Sequence, residues 1–185
     1  RLLRLNNHLD VAVIEPAEFH FYQPGWTLVG GGVFPTTATR RPMHGLMPLG
    51  VTWIRQAVAA LEPDQNQLVL DDGRLVHYEH LIVCPGIVSD WGAVAGLEET
   101  LGQNGVCSNY HYDLAPYTWQ CIQEFSRGRA VFTAAPMPFK CPGAPQKILY
   151  LAADHFQQNG REAELHYYCA TPVIFGVAPF SRALE

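Results

Sequence analysis

A single cysteine stands between a lysine and a Pro-Gly turn in Lys140-Cys141-Pro142-Gly143-Ala144-Pro145, immediately ahead of a helical pattern. A helix N-terminus presents unpaired N–H groups and a partial positive charge, and a neighbouring ammonium adds to it. A thiol so placed ionises more readily, its pKa moving from ~8.5 into roughly the 3.5–7.5 range. The thiolate is competent for disulfide exchange and for attack on electrophilic centres. These residues alone leave two readings of Cys141 open, a reactive thiol or a small residue in a loop.

A second candidate is Glu15, which closes the β-branched run Asp10-Val-Ala-Val-Ile. An acid ending the second strand of a dinucleotide-binding unit accepts hydrogen bonds from ribose hydroxyls. The glycine fingerprint that accompanies it would fall before residue 1, so a solvated strand-end acid is the competing reading. Gly30-Gly31-Gly32 lacks the Gly-Lys-Ser/Thr ending of a phosphate loop and reads better as a helix end or a close backbone contact.

The other cysteines carry weaker signals. Five cysteines without a C-x-x-C pair argue against a zinc site or a thioredoxin-type couple. Cys121 in mid-helix, Cys169 at a strand end and Cys84 beside Pro85-Gly86 read first as packing positions. Cys107 precedes His111 by four residues, which allows a Cys–His contact or two unrelated loop residues. His20, His44 and His155 have no ligand-like spacing, so no metal site is expected.

The elements that must position these residues are legible as periodicities. Leu2, Leu3 and Leu5 suggest a helix, followed by a buried strand over 10–15 that Pro16 ends. Residues 51–58, 66–70 and 74–78 read as the strands of a β-meander over about 51–78, with Asp72-Gly73 as a hairpin turn. His80-Leu-Ile-Val-Cys-Pro-Gly86 reads as another buried strand. Residues 112–125 read as a helix, 129–134 as a strand, 145–158 as an amphipathic helix with Gly160 beyond its end, and 164–169 as a strand. The pattern is α/β: two Rossmann-like units, both truncated, with the meander inserted in the first.

Bulk properties narrow the function classes. At 48% hydrophobic and 16% charged residues the chain is globular and not disordered. A net charge of -5 gives no basic face for nucleic acid. No apolar run approaches the ~20 residues of a membrane span, and no secretory leader is expected. Both ends read as cuts in a longer protein.

Two long motifs in order, Glu15-Pro-Ala-Glu-Phe-His-Phe-Tyr-Gln-Pro-Gly-Trp-Thr-Leu-Val-Gly30 and Lys140-Cys-Pro-Gly-Ala-Pro-Gln-Lys147, closely resemble the sulfide:quinone oxidoreductases, in particular the mitochondrial-like group. Cys107-Ser-Asn-Tyr110 and Thr171-Pro-Val-Ile-Phe-Gly176 extend the likeness through nearly the whole chain. The resemblance implies a flavoprotein of the FAD-dependent disulfide-reductase type. Its FAD-binding domain would run through residues 1–112, and a second dinucleotide-binding-like domain would begin at 113 and continue through 185. It also implies a membrane-associated enzyme, at the mitochondrial inner membrane or a bacterial plasma membrane, that oxidises hydrogen sulfide to sulfane sulfur and passes electrons through FAD to a quinone. Sulfite or glutathione would accept the sulfur.

Residue by residue, the resemblance matches Glu15 to the FAD ribose contact, Gln23 and the backbone of Val58 to further FAD contacts, and Cys141 to one of two redox cysteines. Cys107 and His111 match an auxiliary pair of some bacterial relatives. Pro142 and Cys84-Pro85-Gly86 depart from the usual residues. The glycine fingerprint, the second redox cysteine, the quinone pocket and the C-terminal membrane-binding elements are expected outside the chain, so the 185 residues alone are expected to be inactive. Alternatives are a related flavoenzyme with another acceptor, of the flavocytochrome c sulfide dehydrogenase or NADH:quinone type, or a non-catalytic fragment.

Overall fold

The computed structural model describes residues 2–136, 138 and 140–184. They fall into two compact units, one of Arg1–Phe21 and Arg40–Gly86, the other of Tyr22–Thr39 and Ile87–Glu185.

In the first unit, helix α1 (Leu2–Leu5) leads to strand β1 (Val11–Ile14), where β-branched residues favour the extended backbone. A short ribbon follows, formed by β2 (Phe19–Phe21) and β3 (Arg40–Pro42), with the Arg40 guanidinium 4.4 Å above the Phe19 ring. Strand β4 (Val51–Ile54) pairs parallel with β1, from Val11↔Val51 to Ile14↔Ile54. The Glu15 N–H donates to the Ile54 carbonyl at 3.1 Å and extends the ladder by one bond. Pro16, with no N–H, cannot continue it.

The meander is β5 (Val58–Glu62), β6 (Gln67–Leu70) and β7 (Leu75–His77) in spatial order, both pairs antiparallel. Leu68 and Leu70 of its central strand are buried. Gly73 adopts φ +84, the left-handed conformation that the expected Asp72-Gly73 turn requires. The Arg74 backbone N–H and guanidinium both donate to the Asp72 carboxylate and hold it below the usual carboxylate range.

Two expectations are corrected here. Residues 51–58 are not one strand of the meander. Residues 51–54 belong to the parallel pair and 58–62 to the antiparallel sheet, separated by Arg55-Gln56-Ala57. Polar pairing sets that break. Arg55 pairs with Glu18, whereas the Gln56 amide donates to Asp72 and the Ala57 carbonyl accepts the Asp71 N–H. The second correction concerns 80–86, which is extended but unpaired, with Ile82 77% exposed. A β-prone run forms a strand only where a sheet edge satisfies its backbone groups, and none among the described residues does so.

In the second unit, α2 (Trp26–Gly30), α3 (Leu97–Thr100) and α4 (Ala115–Glu124) precede β8 (Arg127–Ala134). Helix α5 (Ala144–Gln158) then crosses over to β9 (Glu162–Cys169), and α6 (Ala178–Leu184) follows. β8 and β9 pair parallel in register over eight residues, Arg127↔Glu162 to Ala134↔Cys169, the expected β-α-β unit. Ile122 of α4 and Ile148, Ala152 and Phe156 of α5 form its core, against Trp119, Phe125, Ala130, Phe132 and Ala163. The i, i+4, i+8 spacing of the α5 residues puts them on one face.

The triple glycine is a helix end and a close approach, as expected. A Cβ on Gly30 would lie 3.3 Å from Ile148 and Thr118, and one on Gly32 would lie 2.5 Å from the Trp119 ring. α4 starts at Ala115 and not 112, because Pro116 fits the first helical turn and the His111 carbonyl takes the N–H groups of Leu114 and Ala115.

Candidate functional site

Cys141 lies at the surface of the second unit, two residues before the Gly143 cap of α5. Its carbonyl accepts the Ala144 N–H at 3.2 Å, and the Gly143 carbonyl accepts the Lys147 N–H at 2.9 Å, which fixes the turn onto the helix. Gly143 provides no side-chain cap, so the first-turn amides keep their positive potential toward solvent.

The side chain of the preceding Lys140 is anchored as well. Lys140 Nζ donates to Gln23 Oε1 at 2.7 Å and lies 5.8 Å from the centre of the Trp26 ring. Gln23 opens the short 3₁₀ turn Gln23–Gly25 that leads into α2. Two residues singled out separately in the sequence, Gln23 and the Lys140-Cys141 pair, are therefore neighbours.

Sequence reasoning missed the wall opposite. The Tyr110 phenol donates to the Cys141 carbonyl at 3.0 Å, and Asn109 Nδ2 donates to Thr27 Oγ1 at 2.8 Å. Asn109 and Thr27 are both buried. The resemblance included Cys107-Ser-Asn-Tyr110 but gave these residues no role, and by local pattern the polar triplet looks like any turn, its partners lying 31 and 82 residues away. Replacing Asn109 with Ala leaves the Thr27 hydroxyl buried and unsatisfied. The variant is expected to lose about 1–3 kcal/mol of stability, read as a lower denaturant midpoint.

Burial, followed by the charges of Cys141 and Tyr167, pushes the Tyr110 phenol up to about 12. It therefore remains a donor throughout the physiological range. A folded value raised above the unfolded one (about 10 for tyrosine) gives stability that is complete below pH 10 and lost as pH rises toward 12. Tyr110→Phe is expected to flatten that alkaline fall in a denaturation series from pH 9 to 12.

Cys107 and His111 turn to different partners. Cys107 is half-buried beside Thr118 and Cys121, and burial pushes its thiol up to about 11. His111 Nδ1 lies 3.8 Å from the Asp113 carboxylate, and its ring sits 6.4 Å from that of Trp26. Cys84 and Cys169, read as packing positions, are exposed. For Cys84 the reason is the unpaired segment that carries it; the Cys169 thiol donates to the Thr171 carbonyl at 3.3 Å just beyond β9.

Glu15 and Val58 belong to the first unit. Glu15 sits half-buried at the carboxyl end of β1, one carboxylate oxygen accepting the Ala17 N–H at 2.8 Å. Its main chain is fixed by the Trp53 indole, which donates to the Glu15 carbonyl at 2.9 Å. Val58 begins β5, an edge strand of the meander, next to an irregularity in register between Val58 and Ala60.

No protein-family model matches the chain. It is 40% identical over 178 residues to the mitochondrial sulfide:quinone oxidoreductase of Mus musculus, covering 95% of this chain and 40% of that protein. It is 37% identical over 185 residues to the mitochondrial sulfide:quinone oxidoreductase of Dictyostelium discoideum, covering 98% of this chain and 41% of that protein. The chain thus spans about two fifths of the length of these relatives. Among solved structures, the sulfide:quinone oxidoreductase of Aquifex aeolicus superposes with a TM-score of 0.80. That match covers all of this chain and 44% of that one at 19% identity, a likeness of fold. Over nearly its whole length the chain is thus similar to two fifths of two mitochondrial sulfide:quinone oxidoreductases, and it shares the fold of the corresponding part of a third.

Proposed function

We propose that the full-length protein is a flavoenzyme that oxidises hydrogen sulfide to sulfane sulfur and delivers the electrons to a quinone. One observation carries this reading: Cys141 is exposed just before α5 and follows Lys140, whose ammonium is held by Gln23 and lies near the Trp26 ring. The similarity to two mitochondrial sulfide:quinone oxidoreductases supports it.

The residues present fit FAD. Glu15 offers a carboxylate oxygen with no hydrogen bond among the described residues, at the strand end where a ribose is recognised. Gln23 accepts from Lys140 through its amide oxygen, and its NH₂ group makes no hydrogen bond among the described residues. Val58 offers main-chain groups on an edge strand. When bound, the flavin supplies two-electron redox chemistry. The chain's own task would be to present the exposed Cys141 sulfur on the turn that leads into α5.

In the proposed reaction Cys141 is joined by a disulfide to a second redox cysteine. Hydrosulfide attacks one sulfur, the S–S bond breaks, and the products are a persulfide on one cysteine and a thiolate on the other. The sulfane sulfur then passes to an acceptor such as sulfite or glutathione. Cys107 and His111 are auxiliary, each acting through its own partners. The proposed domain division is an FAD-binding domain over 1–112 and a second dinucleotide-binding-like domain from 113. We place the protein at a membrane, the mitochondrial inner membrane or a bacterial plasma membrane; the word mitochondrial in its relatives' names favours the first. Among the described residues no helix is long and apolar enough to cross one.

The test is an anaerobic titration of the full-length, flavin-loaded protein with sulfide. Flavin absorbance is expected to bleach and to recover when a short-chain quinone is added. A flavin that sulfide leaves oxidised overturns the reading.

A further inference from the structure

Gln23 sits on a turn whose main chain is tied down on both sides. The Tyr22 N–H donates to the Thr39 carbonyl at 2.7 Å, and the Gly25 N–H donates to the Tyr22 carbonyl at 3.0 Å. Pro24 sets the backbone of the 3₁₀ turn, and the Trp26 N–H closes it on the Gln23 carbonyl. Glycine is required at position 25, because a Cβ there would lie 2.8 Å from Cγ2 of Thr39, a residue only 1% exposed. The base of Gln23 is therefore fixed, and the freedom that remains is in its own exposed side chain.

Lys140 removes that freedom from 117 residues away in sequence. Its Nζ lies 2.7 Å from Gln23 Oε1 and 5.8 Å from the centre of the Trp26 ring, so the amide oxygen and the indole hold the ammonium together. An ammonium has three donors and no acceptor, and it can bond to an amide only through the oxygen. This settles which way the Gln23 amide faces. Its NH₂ group is turned away from Lys140 and makes no hydrogen bond among the described residues. The turn thus presents a donor of fixed direction, on a side chain with less freedom to lose when a ligand binds.

We propose that Lys140 is a positioning residue for the cofactor: it orients Gln23 so that the amide NH₂ meets an acceptor atom of FAD. The inference rests on the reading of Gln23 as an FAD contact and adds the group that fixes its direction. Without the ammonium the amide turns over freely and offers oxygen as readily as nitrogen, and the ligand itself must order the side chain. Lys140 needs no contact with FAD for this role, since it acts through Gln23. The residue before Cys141 thus serves cofactor binding independently of the thiol's chemistry.

The test is a double-mutant cycle on FAD affinity, with the full-length protein stripped of flavin and titrated with FAD while flavin fluorescence is followed. Lys140→Met and Gln23→Met are each expected to weaken binding about two- to tenfold, the scale of one hydrogen bond or one ordered side chain. Adding Lys140→Met to Gln23→Met is expected to cost nothing further, because the group that Lys140 orients is already gone. Gln23→Glu keeps an acceptor for Lys140 but has no N–H, and is expected to bind FAD no better than Gln23→Met. A Lys140→Met loss that is equally large in the Gln23→Met background means that the ammonium acts on FAD directly, and overturns the proposal. Parental affinity in Lys140→Met or in Gln23→Glu overturns it as well. Gln23→Glu, with Lys140 in place, decides the question even if Lys140→Met fails to fold. A parent protein that binds no FAD overturns the flavoenzyme reading too, whereas a parent that binds FAD without coupling between the two residues overturns this inference alone.

Discussion

Cys141→Ser in the full-length protein is expected to slow sulfide-driven bleaching of the flavin by roughly a hundredfold or more, the scale of losing a covalent nucleophile. A serine oxygen cannot form the disulfide that hydrosulfide must attack, so the step is lost and not merely slowed by poorer geometry. The substitution is otherwise quiet. The Cys141 thiol is exposed, and the bonds that fix its turn run through its carbonyl, to Ala144 and Tyr110. Flavin content and stability should therefore match the parent protein. Cys169→Ser is the control, an exposed thiol that donates to the nearby Thr171 carbonyl, and should bleach at the parental rate. Near-parental bleaching in Cys141→Ser would remove Cys141 from the chemistry. Equal loss in both variants would point to general thiol damage.

The largest stability effect is expected at Gly32, through two costs that arise at one atom. At φ +74 a Cβ is strained by about 1–2 kcal/mol. The same Cβ would sit 2.5 Å from the Trp119 ring, which packs on the core of the second unit and meets the His155 ring edge-on at 4.9 Å. Overpacking of this kind adds about 1–3 kcal/mol. Gly32→Ala should therefore lose about 2–5 kcal/mol, seen as a lower denaturant midpoint with an altered indole signal. Gly176→Ala is the matched control, since a Cβ there meets nothing within 4 Å and φ is not positive. A Gly32→Ala midpoint equal to that control would mean that Trp119 moves aside at little cost.

These two positions show what kind of information the sequence carries. Helix α5 was legible because its periodicity, its proline start and its glycine stop are local, and the β8–α5–β9 unit follows from it. The Asp72-Gly73 turn was legible for the same reason. The break at 55–57 was not, because polar groups of Arg55 and Gln56 with partners elsewhere divide an unbroken strand-like run. Residues 80–86 show the converse case, since propensity without a sheet edge yields an extended segment but no strand. At the site, the Cys141 turn could be read locally, whereas its supports at Gln23, Asn109 and Tyr110 depend on long-range contacts. The Cys107–His111 spacing brings side chains together on a helix, but residues 107–111 are not helical, so the two diverge.

The unpaired stretch has a consequence for how the polypeptide behaves in a tube. Ile82, Val83, Ile87 and Val88 are 77%, 55%, 54% and 94% exposed on an extended backbone that pairs with no strand among the described residues. Such a run, uncharged from Leu81 to Val88, is a template for edge-to-edge pairing between molecules, broken only by Pro85-Gly86. Handled as 185 residues, the protein is therefore colloidally fragile at that edge, and its solubility will be set by whatever strand is offered to it there, more than by its net charge of -5.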